Sequence, residues 1–141
     1  MKILVSACLL GVKCRYNGVE KADETVVRLA EKHTLVPFCP EIYGGLSTPR
    51  APSEIKDGRV VTEDGRDVTA EYRKGAEEAL RIAKILGCEC ALLQDRSPSC
   101  GIGVVHNGKF DGGLIPGDGV TAALLRDAGL MLIPASEAEK L

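Results

Sequence analysis

Tryptophan is absent from this chain, and aromatic residues fill only 4% of its 141 positions. Stacking platforms for unpaired bases are therefore scarce. Charge of one sign is not in excess either: 18 Lys and Arg stand against 20 Asp and Glu, a net charge of −2. That balance gives no long-range pull toward a phosphate backbone and argues against a large nucleic-acid footprint, while leaving room for a local basic groove. No apolar run approaches the ~18 residues of a membrane-spanning helix, so no membrane partner is expected. The apolar opening Lys2-Ile3-Leu4-Val5 is broken by Ser6 and Lys13 with no small-residue cleavage site after it, which points to the cytosol. Cys-x-x-Cys is missing, so neither a zinc ribbon nor a thioredoxin-like pair is signalled. The glycines match neither a phosphate loop ending in Gly-Lys-Ser/Thr nor a Gly-x-Gly-x-x-Gly turn.

What the chain does have is six cysteines. In a secreted protein they would suggest a disulfide framework, whereas a reducing cytosol turns them toward metal binding or catalysis. Free cysteine is also a small buried apolar residue, and about half of the six are expected to serve only that way.

The pattern along the chain alternates strands and helices. Lys2 to Ser6 is an apolar run suited to a buried parallel strand, and Thr34 to Phe38 and Cys90 to Leu93 read as two more. Asp23 to Lys32 has helical spacing, with Val26, Val27, Leu29 and Ala30 on one face. The longest helical pattern starts at Thr69, read as its N-cap, and carries Ala76, Ala79, Leu80, Ala83 and Leu86 as its apolar stripe before Gly87 stops it. Asp57-Gly58 and Asp64-Gly65 flank Arg59–Thr62 and suggest a small hairpin or meander. Asn107-Gly108 suggests a tight hairpin over residues 104–110. Gly119 to Asp127 is helical, and Leu130 to Ile133 is a last strand ended by Pro134. These elements predict one α/β domain over residues 1–141. Its sheet is mostly parallel and open, flanked by helices in a Rossmann-like three-layer arrangement, with short β-hairpins added.

Position makes three of the cysteines informative. Cys8 lies just past the first strand, Cys39 directly after the second, and Cys100 in the loop after the third. Parallel strands point the same way, so these loops open on one edge of the sheet, where ligand sites form in such folds. Coincidence is the competing explanation. Cys88 and Cys90 begin the third strand and belong to the opposite edge, about a strand length (~15 Å) away, where a structural role is expected. Cys14, shortly after Cys8, is within reach as a fourth ligand.

Three converging thiolates leave two metals open. A closed zinc site would want a fourth Cys or His, and neither His33 nor His106 is obviously placed to supply it. An iron–sulfur cubane held by three cysteines keeps one iron free of protein, and an open metal position is a Lewis acid. Glu41, two residues past Cys39, puts a carboxylate beside such a centre. Ser97 and Ser99 bracket Pro98, and either hydroxyl could orient a bound group.

The segments Ser6-Ala7-Cys8-Leu9-Leu10-Gly11 with Arg15-Tyr16-Asn17-Gly18, Phe38-Cys39-Pro40-Glu41 with Gly44-Gly45-Leu46 and Thr48-Pro49-Arg50, and Ser97-Pro98-Ser99-Cys100-Gly101 resemble the three signatures of the thiouracil desulfidase (TudS-like) family. The resemblance covers essentially the whole chain. It implies a [4Fe–4S] cluster on Cys8, Cys39 and Cys100, with Glu41 as catalytic acid/base and Ser97 as the assisting serine. It also implies non-redox removal of sulfur from a thiolated pyrimidine such as 2-thiouracil. Asn17 departs from the aspartate common at its position. Some relatives carry an extra domain and act on thiouridine in tRNA; this chain lacks it, which favours a small thio-nucleobase over thiolated tRNA. A structural zinc or binding module, and a cluster-dependent dehydratase, are the alternatives.

Overall fold

The computed structural model describes residues 1–141. In chain order the elements are β1 (Lys2–Ser6), a 3₁₀ turn (Ala7–Leu10), α1 (Glu24–Arg28) running into a second 3₁₀ turn (Leu29–Glu31), and β2 (Thr34–Phe38). Then come α2 (Pro40–Tyr43), β3 (Ser53–Lys56), β4 (Arg59–Thr62), α3 (Thr69–Leu86) and β5 (Cys90–Leu93). The chain closes with β6 (Val104–His106), β7 (Leu114–Pro116), α4 (Val120–Asp127), β8 (Met131–Pro134) and a terminal 3₁₀ segment (Ala135–Lys140). No helix is long and apolar enough to cross a membrane.

Strands in the order β2-β1-β5-β8 form one parallel sheet, and β3–β4 and β6–β7 form separate antiparallel pairs. The continuous apolar runs of the central strands follow from burial on both faces. Ile3 and Val5 pack with Val26, Leu29, Cys90, Leu92 and Ala138 on one side, under α1 and the terminal 3₁₀ segment. Leu4 packs with Ala79, Ala83, Ala91, Leu93, Ala122 and Leu125 on the other, under α3 and α4. The period of two along each strand sorts its side chains between those layers. The result is the three-layer α/β arrangement expected from the sequence, with hairpins attached. β2 is an edge strand, which is where its exposed Pro37, lacking an N–H, is tolerated.

Local chemistry accounts for most element ends. The Asp23 carboxylate accepts from the amides of Thr25 (3.0 Å) and Val26 (3.3 Å) and so caps α1. Gly87 ends α3 at φ 67°, a left-handed C-cap. Asp57 and Gly58, at φ 50° and 75°, make the two-residue turn between β3 and β4 that positive φ at both positions favours. Three details differ from the sequence reading. Thr69 is the first residue of α3 and not its cap: its hydroxyl accepts from Val60 N at 2.9 Å, while Asp67 accepts from Thr69 N at 2.9 Å. Leu86, Val27 and Ala30 are exposed, and α3 buries Tyr72 and Gly75 instead. Asn107-Gly108 does not make a two-residue turn, because β6 pairs with β7 across residues 107–113. That loop is drawn onto β3, where the Glu54 carboxylate accepts from Gly108 N (2.9 Å) and Phe110 N (3.1 Å).

Short α2 is seated by glycines. A Cβ on Gly75 would lie 1.9 Å from the Pro40 carbonyl oxygen, and one on Gly44 would lie 2.0 Å from the Glu71 carbonyl oxygen. Backbone therefore meets backbone at both points, and neither neighbour can yield as a flexible side chain would. Gly75→Ala is expected to push α2 off α3 and destabilise the fold by about 1–3 kcal/mol, the usual cost of overpacking. A urea titration reads that loss. Because α2 opens with Cys39 as its N-cap and Glu41 in its first turn, the same variant is expected to bind less iron at equal protein.

Candidate metal centre

The chain leaves β1 for β2 on one side and later returns to β5 on the other, so the connection reverses between β1 and β5. A crevice opens beyond the carboxyl ends of strands at such a reversal. Here it is a cavity of about 470 Å³ whose wall includes Cys8, Cys14, Cys39, Cys100, Glu41 and Ser97. All five residues singled out as ligand or catalytic groups thus share one cavity, together with the fourth thiol, Cys14.

Each thiol is placed by the local chain. Cys8 sits in the 3₁₀ turn after β1, which Gly11 ends at φ 90° with its N–H donating to the Cys8 carbonyl at 3.1 Å. Cys39 is extended (φ −137°, ψ 104°) and precedes Pro40, a residue preset for the first helical position. Cys100 is buried in a loop stitched by Ser97, whose Oγ accepts from Ser99 N (3.0 Å) and Cys100 N (3.1 Å). That loop also grips the start of α4. Val120 N donates to Pro98 O at 2.8 Å, Thr121 N donates to Ser99 O at 2.9 Å, and the Ser99 and Thr121 hydroxyls meet at 2.8 Å. A Cβ on Gly119 would fall 2.5 Å from the Ser99 carbonyl oxygen, so the approach depends on glycine.

The thiols feel one another. The Cys39 S–H points to Glu41 Oε2 at 3.5 Å and to the Cys14 carbonyl oxygen at 3.9 Å. Burial pushes the Cys8 thiol up to about 11, helped by the nearby Cys14 and Glu41, with Arg15 opposing. Cys100 is raised well above the ordinary thiol range, first by burial and then by the Glu41 carboxylate, against a hydrogen bond from Ser6. Cys14 and Cys39 share a hydrogen bond that lowers Cys14 to about 7 and raises Cys39. Burial and Glu41 raise Cys39 further, while Arg50 favours the Cys14 thiolate. One carboxylate, Glu41, therefore acts on all four sulfurs, which is the electrostatic sign of their convergence. No three His, Cys, Asp or Glu side chains are placed to share a single metal ion. The donor set is thiols spread around a cavity, which suits a polynuclear iron–sulfur group better than one zinc ion.

The remaining cysteines lie elsewhere. Cys90 is in the core against Ile3 and Val5, and Cys88 packs at the edge of the opposite layer. His33 meets the N-terminal amine (3.1 Å) and the Leu141 carbonyl, away from the cavity. Asn17 serves its own turn, accepting from Val19 N at 3.1 Å. Further residues of the wall are not singled out as site groups by the sequence. Ser6 Oγ accepts from Gln94 N at 3.0 Å and so joins the ends of β1 and β5 beneath the thiols. Arg50 donates from Nη2 to the Cys14 carbonyl (2.9 Å) and from Nη1 to Thr48 Oγ1 (3.1 Å), tying the first cysteine loop to the second. Tyr72, from α3, and His106, from β6, complete the wall. Ser6 and Arg50 have a signal only as members of the Ser6–Gly11 and Thr48-Pro49-Arg50 segments, His106 only as a histidine set aside as a zinc ligand, and Tyr72 has none.

Comparison with known proteins gives three results. The profile of a family described as 2-thiouracil desulfurase matches residues 3–137. The uncharacterized protein YbbK of Bacillus subtilis (strain 168) is 45% identical over 145 residues, covering 96% of each chain. The solved structure of a [4Fe–4S]-dependent thiouracil desulfidase, TudS, superposes with a TM-score of 0.92 at 45% identity, over 99% of this chain and 94% of that one.

Proposed function

The chain belongs to the 2-thiouracil desulfurase family, and from that premise we propose that it is a [4Fe–4S]-dependent desulfidase converting a thiolated pyrimidine such as 2-thiouracil, with water, to uracil and sulfide. The observation that carries the reading is the gathering of Cys8, Cys39 and Cys100 with Glu41 around one cavity at the reversal of the sheet. Residues 1–141 then form a single desulfidase domain. Cys8, Cys39 and Cys100 are the cluster ligands. When bound, the cluster supplies one iron without a protein ligand, a soft Lewis acid matched to a thiocarbonyl sulfur.

The chain's own residues handle position and protons. As a cluster ligand Cys39 would be a thiolate, without the S–H that Glu41 Oε2 faces in this structure. Glu41 is then free to take a proton from the attacking water and return one to the leaving sulfur or the base. Ser97 keeps its lone pairs on two backbone amides, which leaves its hydroxyl proton for a polar atom of the substrate. A cavity of about 470 Å³ suits a small base, and with a net charge of −2 it favours a thio-nucleobase over thiolated tRNA.

The test is chemical. Anaerobically prepared protein with measured iron and sulfide is incubated with 2-thiouracil, and sulfide and uracil are expected in equal amounts. An intact cluster with no sulfide released would overturn the assignment and reopen a dehydratase. Colourless protein carrying zinc would overturn the cluster itself.

A further inference from the structure

One buried side-chain nitrogen or oxygen in the protein has no hydrogen-bond partner: Nδ1 of His106, on the wall of the cavity. Buried polar atoms without partners are rare enough to need a reason. The residue is held firmly from two directions. Val105 is buried and bridged in parallel to Arg96, which places the next residues, His106 and Ser97, at neighbouring positions. Beyond it, residues 107–110 are clamped to β3 by buried Glu54 through the amides of Gly108 and Phe110. Gly108 lies so close to β3 that a Cβ would come within 2.6 Å of the Ile55 carbonyl oxygen. Such a seat fixes the imidazole without satisfying it.

We infer that His106 is a specificity-determining residue, donating Nε2–H from the cavity wall to the ring carbonyl oxygen of the bound thiopyrimidine. A proton on the shielded Nδ1 would bury an N–H with no acceptor, which folded proteins avoid more strictly than an unpaired acceptor. The proton therefore sits on Nε2 and gives the cavity a donor. The inference rests on the desulfidase reading for its ligand. With the C2 sulfur of 2-thiouracil directed to the thiol cluster, the C4 carbonyl is the one other exocyclic acceptor. In 2-thiocytosine that position carries an amino group, which is a donor and would face the histidine N–H unpaired. A site built around one polar partner rejects the analogue that lacks it far more strongly than an apolar site would.

Anaerobic, cluster-loaded wild type, His106→Ala and His106→Gln are compared in three ways: iron and sulfide content, equilibrium dialysis with uracil and with cytosine, and sulfide release from 2-thiouracil and 2-thiocytosine. Gln carries an amide N–H near the place of Nε2. Wild type is expected to favour uracil over cytosine. His106→Ala is expected to lose roughly tenfold in uracil affinity and to raise KM for 2-thiouracil roughly tenfold, with cluster content unchanged and kcat within about threefold. The preference over the cytosine series should shrink toward unity, and His106→Gln should restore most of it. Unchanged uracil binding and unchanged preference in His106→Ala would overturn the inference, as would failure of His106→Gln to recover. If wild type binds uracil through His106 yet releases no sulfide, the desulfidase reading fails and the histidine assignment stands. If wild type binds neither base, the histidine assignment falls, and sulfide release alone decides the desulfidase reading.

Discussion

Cys39→Ser and Cys100→Ser are expected to yield colourless protein without stoichiometric iron and sulfide, whereas Cys88→Ser and Cys90→Ser are expected to stay brown. The expectation follows from where the sulfurs lie. Cys39 and Cys100 line the cavity, and Cys90 is enclosed by the β1–β5 core at the far end of the same strands. Serine is close to isosteric with cysteine, so loss of iron reports a lost thiolate and not a lost fold; matching circular dichroism spectra check this. Hydroxyl oxygen is a poor stand-in for thiolate on iron–sulfur iron. Cys8→Ser is expected to behave like the first pair. Cys14→Ser is expected to keep its iron, because Cys14 is not in the proposed ligand set and the carbonyl that Cys39 and Arg50 face is backbone. If it loses iron as fully as Cys39→Ser, four protein ligands would leave no open iron. Equal loss in the Cys88 and Cys90 variants would refute the sheet-edge placement.

The strand ends were readable because short apolar runs bounded by turn residues mark them, and once the strands are parallel the edge shared by Cys8, Cys39 and Cys100 follows from direction alone. Glu41 came with Cys39, two residues away in sequence. Contacts between distant segments were not readable. Gly44 and Gly75 look like any loop and helix glycine until α2 is laid on α3 and both Cβ positions are found occupied by backbone. Asn107-Gly108 carried a true local preference for a tight turn, and a tertiary bond outweighed it: two amides of the loop go to a buried carboxylate more than fifty residues earlier. The same contact holds the backbone just beyond His106, so no local pattern could place that residue on the cavity wall. Arg50 was visible only as part of a segment, since its job is to hold the Cys14 carbonyl on another loop.

Glu41→Gln is expected to keep its cluster and lose about 10²- to 10⁴-fold in kcat, the range that positioned proton transfer contributes. Gln retains the size of the side chain and a hydrogen-bonding oxygen beside Cys39, but it cannot carry a proton from water to the leaving sulfur. kcat and kcat/KM should fall together, the pattern of an interaction made in the transition state. Cluster content should not fall with them. Glu41 raises the thiols of Cys8, Cys39 and Cys100, so removing its charge eases the deprotonation that iron binding requires. Ser97→Ala supplies the contrast. It strips the acceptor from the amides of Ser99 and Cys100, so the loop that presents Cys100 loosens and iron content falls along with rate. A Glu41→Gln enzyme that turns over 2-thiouracil within about threefold of wild type, at equal iron, would remove the carboxylate from the proton path and leave Ser97 or bound water to carry it.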